Sequence, residues 1–204
     1  MLPKDPFNII ICGVGGQGNV KASRILGKML IQKYVVTIGE TFGASQRGGS
    51  VMSHIRVSAD SLWSPQIPHG RADLVLALEP VEGARVIQEF GSDQSIAILN
   101  TRPVYPLSAI TGSCTYPSLD ELTTQIVSHI KTAWFFDATL LSLEEFGSPL
   151  YQNSILLGAV TGLQCIPLNI HSFIEAASQE LPSHTMEKNK KAFEVGISLT
   201  ASHQ

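Results

Sequence analysis

A short run of branched apolar residues passes straight into a glycine turn and then a helical repeat, and this junction most limits what the chain can fold into. Phe7-Asn8-Ile9-Ile10-Ile11-Cys12 reads as a strand buried on both faces. It leads into Gly13-Val14-Gly15-Gly16-Gln17-Gly18, after which Ala22, Ile25, Leu26, Met29 and Leu30 recur at helical steps. Lys21, Arg24, Lys28 and Gln32 fall on the opposite, outer face, and residues 34–38 read as a second strand. Strand, tight turn, helix and strand make a crossover unit, which implies a parallel sheet.

Farther on, Val51, Ile55 and Val57 share one face of a strand, while His54 and Arg56 share the other. One face of this strand is therefore expected to be polar. Residues 73–78 read as another buried strand, ended by Glu79-Pro80, with Pro80 suited to the first turn of a helix. Residues 95–99 and 133–136 are further strands. Ser118 with Glu121, and Ser172 with Glu175, match the capping box and predict two helix starts. Asp137 is placed to cap a third helix, and residues 153–163 and 183–197 read as helices. No repeat, low-complexity stretch or shift of composition divides the 204 residues. The expectation is α/β: a single three-layer α/β/α domain over residues 1–204, with a mainly parallel sheet and a Rossmann-like start.

The hydrophobic share of 44% and charged share of 15% suit a compact fold with a sizeable core. A net charge of -3 without a basic stripe argues against nucleic acid as a partner. No apolar run reaches the roughly 18 residues that would cross a bilayer, and residues 1–6 lack a secretory layout, so no membrane partner and a cytoplasmic location are expected. Cys12, Cys114 and Cys165 are far apart and form no C-x-x-C. Three scattered thiols fall short of the four thiolates of an ordinary iron–sulfur cluster or structural zinc site. They are read as core thiols, and any metal cluster is assigned to another chain.

Gly13, Gly15 and Gly18 satisfy G-x-G-x-x-G between a strand and a helix. One reading is a dinucleotide site, with pyrophosphate on the helix N-terminus and Glu40 on a ribose hydroxyl. That is the signature of a nicotinamide dehydrogenase or of a stand-alone nucleotide-binding or regulatory module. A second reading is a tight turn that packs helix on strand without a ligand. The extra Gly16-Gln17 adds a third, because an amide at the helix entrance suits contact with a ligand or neighbouring chain. A second glycine-rich loop, Glu40-Thr41-Phe42-Gly43-Ala44-Ser45-Gln46-Arg47-Gly48-Gly49-Ser50, sets Arg47 beside two glycines. There it either presents a cation to a carboxylate or phosphate or forms a solvated surface turn. Two such loops at one sheet edge favour a site or interface built from Gly13, Gly15, Gly16, Gln17, Gly18, Glu40, Gln46, Arg47, Gly48, Gly49 and Ser50. His54 is read as an interface packing residue in preference to a general base, and no residue is assigned a catalytic role. Asp137, Glu144 and Glu145 are read as cap and solvated helix face, Lys188, Lys190 and Lys191 as an exposed helical face, and Trp63 and Trp134 as packing residues.

Taken together, the two loops resemble one subunit family. It includes the beta chain of indolepyruvate:ferredoxin oxidoreductase and the gamma chain, or internal gamma domain, of pyruvate and 2-ketoisovalerate:ferredoxin oxidoreductases. The resemblance rests on GVGGQG (13–18), ASRILG (22–27), SQRGGSVMSHIR (45–56), ADLVLALEP (72–80), NSILLGA (153–159) and NKKAFEVG (189–196). It extends from about residue 8 to residue 196, and the Gln46-Arg47-Gly48-Gly49-Ser50 wording looks like the indolepyruvate branch. The resemblance implies oxidative decarboxylation of an aryl 2-oxoacid to an acyl-CoA, carbon dioxide and reduced ferredoxin. Thiamine diphosphate and iron–sulfur clusters would then sit on a larger partner subunit, with CoA as co-substrate and ferredoxin as electron acceptor. This chain has no G-D-G…N thiamine signature and would be inactive alone.

Overall fold

In the computed structural model, which describes residues 2–42 and 49–201, the opening unit forms as the sequence predicts. Strand β1 (Phe7–Val14) is followed by α1 (Asn19–Ile31) and β2 (Val35–Phe42). Then come β3 (Ser50–Ser58), β4 (Leu74–Ala77), α2 (Pro80–Phe90), β5 (Ile96–Asn100), a short α3 (Leu107–Ile110) and α4 (Leu119–Val127). The chain continues through β6 (Thr132–Phe136), α5 (Ala138–Phe146), a 3-10 turn at Pro149–Tyr151, α6 (Gln152–Gly162) and α7 (Ile170–Ser178). A second 3-10 turn at Ser183–Thr185 leads into α8 (Met186–Ala201).

Among the described residues six strands form one sheet in the order β2-β3-β1-β4-β5-β6. β1, β4, β5 and β6 are mutually parallel, whereas β3 runs antiparallel to both its neighbours, β1 and β2. The crossover expected from the first unit is present, since β1 and β2 run in the same direction, but the two strands are not adjacent: β3 lies between them, antiparallel to both. β2 ends at Phe42 and β3 begins at Ser50, and a parallel connection needs a dozen or more residues. So short a link returns the chain antiparallel, and β3 fills the place between β1 and β2 that a simple crossover would leave to direct pairing.

The alternation along each strand then builds three layers. Ile9, Ile11, Leu74, Leu76 and Ile98 point to a core shared with α1, α6, α7 and α8. Ile10, Cys12, Val75, Ala77 and Leu99 point to a second core under α2 and α4. Ile9, Ile10 and Ile11 are all fully buried, each worth roughly 1.5–3 kcal/mol relative to exposure. The outer face of α1 is less open than its sequence suggests. Lys28 Nζ pairs with Glu180 Oε1 at 2.5 Å, and Gln32 Nε2 donates to Glu175 Oε2 at 2.7 Å.

Helix starts follow local chemistry. Ser118 and Glu121 form both halves of the capping box on α4, and Asp137 accepts from Leu140 N to cap α5. The box expected at Ser172 and Glu175 is displaced. Asn169 is the cap of α7, accepting from Ser172 N at 2.9 Å, and Ser172 lies inside the first turn, its Oγ bonded back to the Asn169 carbonyl. An Asn side chain reaches the open N–H groups earlier in the chain and so sets the start. Cys12 is buried and Cys165 partly so, but Cys114 is exposed, which corrects its reading as a core thiol.

Candidate functional site: the glycine turn and its neighbours

The two glycine-rich segments meet at the end of the sheet where β1 finishes and β3 begins. Val14 stands opposite Ser50, and Gly15 N–H donates to the Gly49 carbonyl at 2.8 Å. Gly49 and Ser50 are thus brought to the turn formed by Gly13, Gly15, Gly16, Gln17 and Gly18. Gln46, Arg47 and Gly48 lie outside the described residues.

The turn closes on itself. Gly16 (φ +105°) and Gly18 (φ +84°) occupy the left-handed region that favours glycine. Gly13 is required for a different reason: a Cβ there would stand 2.6 Å from Gln17 Oε1 and 2.9 Å from Leu78 Cβ. The Gln17 amide fills that space. Its Oε1 accepts from Val14 N–H at 2.8 Å and its Nε2 donates to the Leu78 carbonyl at 2.9 Å, joining β1 to the end of β4. The amide expected at the helix entrance for a ligand or neighbouring chain is therefore turned inward and fully bonded.

Gln17 N–H donates to the Val14 carbonyl at 3.1 Å, so Val14, Gly15 and Gln17 have all committed their N–H groups to protein acceptors. What remains for a ligand among the described residues is Gly16 N–H, Gly18 N–H and the first turn of α1, whose cap is Gly18 without a side-chain bond. Asn153 Nδ2, at the start of α6, holds the Gln17 carbonyl at 2.9 Å. Asn19 Nδ2 holds the Val51 carbonyl at 2.8 Å. The oxygens of both amides are buried without a partner among the described residues; being acceptors, they add nothing to an anion cradle. A cleft of about 600 Å³ opens beside the turn between α1, α6 and the start of α8, lined by Gly16, Gln17, Gly18, Lys21, Ile25, Tyr151, Asn153 and Leu181.

Glu40 and His54 are not gathered into this edge. Glu40 pairs with Ser53 on β3, and its Oε1 receives the Ser23 hydroxyl at 3.4 Å. β3 separates it from β1, a lateral offset of roughly 10 Å, so it does not stand where a ribose acid stands in a directly paired first and second strand. His54 is opposite Ile10 in the middle of β1 and only 4% exposed. Its Nδ1 accepts from Ile67 N–H at 3.3 Å, and its ring meets Phe90 edge-on at 5.3 Å. Burial lowers its pKa, with Glu89 opposing more weakly. The polar face expected on β3 exists, but it is buried: Asn8, His54 and Arg56 are all nearly inaccessible.

Reading the sequence missed three neighbours of the turn. Glu79, 1% exposed, caps α2 by accepting from Glu82 N–H at 2.9 Å. Its other oxygen accepts from the Tyr116 hydroxyl and, at 3.4 Å, from Val104 N–H. Burial raises its pKa, and the bonds from Tyr116, Glu82 and Val104 pull the other way. The Glu-Pro at a strand end was the available signal, since an acid ahead of Pro at the first helical position is a natural cap. Glu82 and Arg85 are the others. Ser50 Oγ donates to Glu82 Oε2 at 2.6 Å, and Arg85 Nη2 donates to both Ser50 Oγ and Glu82 Oε2 at 2.6 and 2.8 Å. A guanidinium thus stands at this edge, already paired, and its three-residue spacing from Glu82 on a helix was the clue.

No group of three or more His, Cys, Asp or Glu able to hold a metal occurs among the described residues. Cys12, Cys114 and Cys165, one buried, one exposed and one partly buried, number fewer than the four thiolates of an ordinary iron–sulfur cluster, which the chain's residues do not fit. No helix among the described residues is long and apolar enough to cross a membrane.

Comparison with known proteins agrees with this architecture. The family profile for pyruvate ferredoxin/flavodoxin oxidoreductase matches residues 8–199. An indolepyruvate oxidoreductase subunit IorB from Methanothermobacter thermautotrophicus is 36% identical over 96% of this chain and 98% of that one. The IorB subunit of Pyrococcus horikoshii is 35% identical over 94% of each chain. Among solved structures, 2-oxoglutarate:ferredoxin oxidoreductase from Magnetococcus marinus, with 2-oxoglutarate, coenzyme A and succinyl-CoA bound, superposes with a TM-score of 0.74 at 17% identity. That match covers 98% of this chain but 32% of the longer one. A profile spanning nearly every residue, and relatives more than a third identical along the same span, place this protein in the pyruvate ferredoxin/flavodoxin oxidoreductase family, beside the IorB subunits of indolepyruvate oxidoreductase.

Proposed function

We propose that the chain, as one gamma-type domain, is the thiamine-free subunit of a cytoplasmic 2-oxoacid:ferredoxin oxidoreductase acting on indolepyruvate or a related aryl 2-oxoacid. In that reaction the bond between the keto carbon and the carboxylate breaks and carbon dioxide leaves. The acyl group forms a thioester with CoA, two electrons pass singly to ferredoxin, and a proton is released. Near-full-length identity with IorB subunits carries the reading. The chain's own chemistry agrees with it. Three dispersed thiols cannot carry electrons through a cluster, and the sequence has no thiamine signature. In this reading thiamine diphosphate and the clusters sit on a larger partner subunit, from which ferredoxin takes electrons.

The stand-alone nucleotide module is the less favoured reading. Three N–H groups of the turn are already bonded to protein, the Gln17 amide fills the space over Gly13, and β3 separates Glu40 from β1. The proposed role of the glycine turn is to pack α1 on the sheet and to present Gly16, Gly18, Lys21 and the adjoining loop, with Arg47, to the substrate region or partner. The test is co-expression with the larger subunit, followed by a panel of 2-oxoacids with CoA and ferredoxin or viologen as acceptor. The isolated chain is expected to be colourless and inactive, and the complex to turn over aryl 2-oxoacids fastest. Turnover by the isolated chain, or an iron–sulfur absorbance shoulder in it, would overturn the assignment.

A further inference from the structure

On the α2 side of the sheet, β3 carries a cation that nothing in the described chain neutralises. Arg56 is 7% exposed. Its Nε donates to Asn8 Oδ1 at 3.0 Å, and its Nη1 donates to the Ser64 carbonyl at 3.1 Å and the Gln66 carbonyl at 3.5 Å. The Trp63 ring lies over the guanidinium at 4.9 Å, a stacking contact that corrects the reading of Trp63 as a plain packing residue. All of these partners are neutral. Among the described residues no carboxylate pairs with Arg56, and Nη2 has no acceptor. Burial pushes its pKa down with no nearby acid to raise it, whereas at Arg85 burial also lowers the pKa but Glu82, with Cys12 and Glu89, outweighs it and raises the value. Buried charges are ordinarily paired, because an uncompensated one pays its desolvation without return.

The covering of this region is also thin. Helices α2 and α4 pack over β1, β4, β5 and β6, but β2 and β3 are covered on this side by an irregular segment. Pro65 sits against Gly39, where a Cβ would meet it at 2.9 Å, and Ile67 is buried against His54. The same segment turns apolar side chains outward, with Leu62 81% and Trp63 42% exposed.

We propose that Arg56, Leu62 and Trp63 form a docking surface for the larger subunit, which inserts an aspartate or glutamate, set among apolar residues, against Arg56 Nη2. The proposal rests on the functional reading above and adds to it the surface used and the chemistry of the contact. Charge complementarity selects the occupant. A second copy of this chain, docked through the same patch about a two-fold axis, would set two uncompensated guanidinium groups across from each other. An acidic partner removes the deficit and buries Leu62 and Trp63 together.

The experiment uses the larger subunit and measures its dissociation constant with the full chain by calorimetry, with hydrogen exchange read on the free and assembled chain. Leu62→Glu puts a negative charge on the exposed patch, where it repels the incoming acid, and, at a side chain 81% exposed, removes no packing from the fold. It is expected to weaken assembly about ten-fold or more and leave the thermal midpoint of the isolated chain unchanged. The amides of residues 61–67 are expected to gain protection on assembly. Val127→Glu, another exposed apolar site on α4, is expected to have no effect. Unchanged assembly by Leu62→Glu with residues 61–67 unprotected, or equal weakening by Val127→Glu, would overturn the docking surface while leaving the functional reading intact. Self-association of the isolated chain that Leu62→Glu abolishes would make a second copy the occupant and also overturn it. Failure of the wild-type chains to associate at all would overturn the functional reading, and this inference with it.

Discussion

His54 and Glu79 are both buried and titratable, and burial moves their stability effects in opposite directions with pH. For His54 the folded-state pKa is lowered, so the unfolded chain binds the proton more tightly. Stability from the neutral ring is fully present above the unfolded value of about 6.5 and is lost as pH falls below it. For Glu79 the folded-state pKa is raised, so the folded chain holds its proton longer and stability falls as pH rises through the raised value. His54→Asn keeps an acceptor for Ile67 N–H and removes the titration. Its urea midpoint is expected to change less than wild type between about pH 7.5 and about pH 5.5; an equal change in both proteins would show that His54 titrates normally. Neither environment was legible in the sequence. The alternation along β3 placed His54 on a face but did not reveal that Ile67 and Phe90 lie against it. Glu79 owes its burial and its bonds to Tyr116, 37 positions away, and to Val104.

Strands and most helices were legible because burial on a regular backbone leaves a periodic trace, and the trace is plain in β1, α1 and β4. Direction and exact starts were less so. The sequence of β3 is the same whether it runs parallel or antiparallel, and only the short link after Phe42 decides. At α7, two candidate caps compete within a few residues and the earlier one wins. The glycines of α6 and α8 are a further case in which the residue was visible and its cause was not. A Cβ on Gly158 would lie 2.0 Å from the Phe193 carbonyl oxygen, and one on Gly196 would lie 1.9 Å from that of Ile155. The two helices, which hold NSILLGA and NKKAFEVG, touch backbone to backbone at these glycines. Gly158→Ala and Gly196→Ala are each expected to destabilise by about 1–3 kcal/mol or more in urea unfolding, against about 0.5 kcal/mol or less for the exposed Glu194→Ala. Because one separation of the helices relieves both clashes, the double variant is expected to lose less than the sum. Additive or negligible losses would mean that the helices do not approach this closely.

At the scale of the whole molecule, a Rossmann-like opening has been built into a sheet that withdraws the dinucleotide site. In a dinucleotide fold the first two strands are neighbours, so the acid ending the second reaches a ribose whose pyrophosphate lies on the first turn. Here β3 stands between them, Gly15 N–H is bonded to Gly49, and the Gln17 amide is folded inward over Gly13. That Gly49 and Ser50 stand beside the glycine turn fits the expectation of one sheet edge; that β3 separates Glu40 from β1 was not legible, because strand order is a property of the assembled sheet. The consequence is a binding prediction. Calorimetric titration with NAD and NADP is expected to give no saturable heat at micromolar concentrations, since the remaining donors, Gly16, Gly18 and the first turn of α1, lack both a partner acid and a vacated turn. Glu40→Ala is expected to leave that blank result and the fold unchanged, its one described side-chain contact being the long bond from Ser23. Tight NAD binding that Glu40→Ala abolishes would mean that the offset imposed by β3 can be bridged, and would restore the dehydrogenase reading.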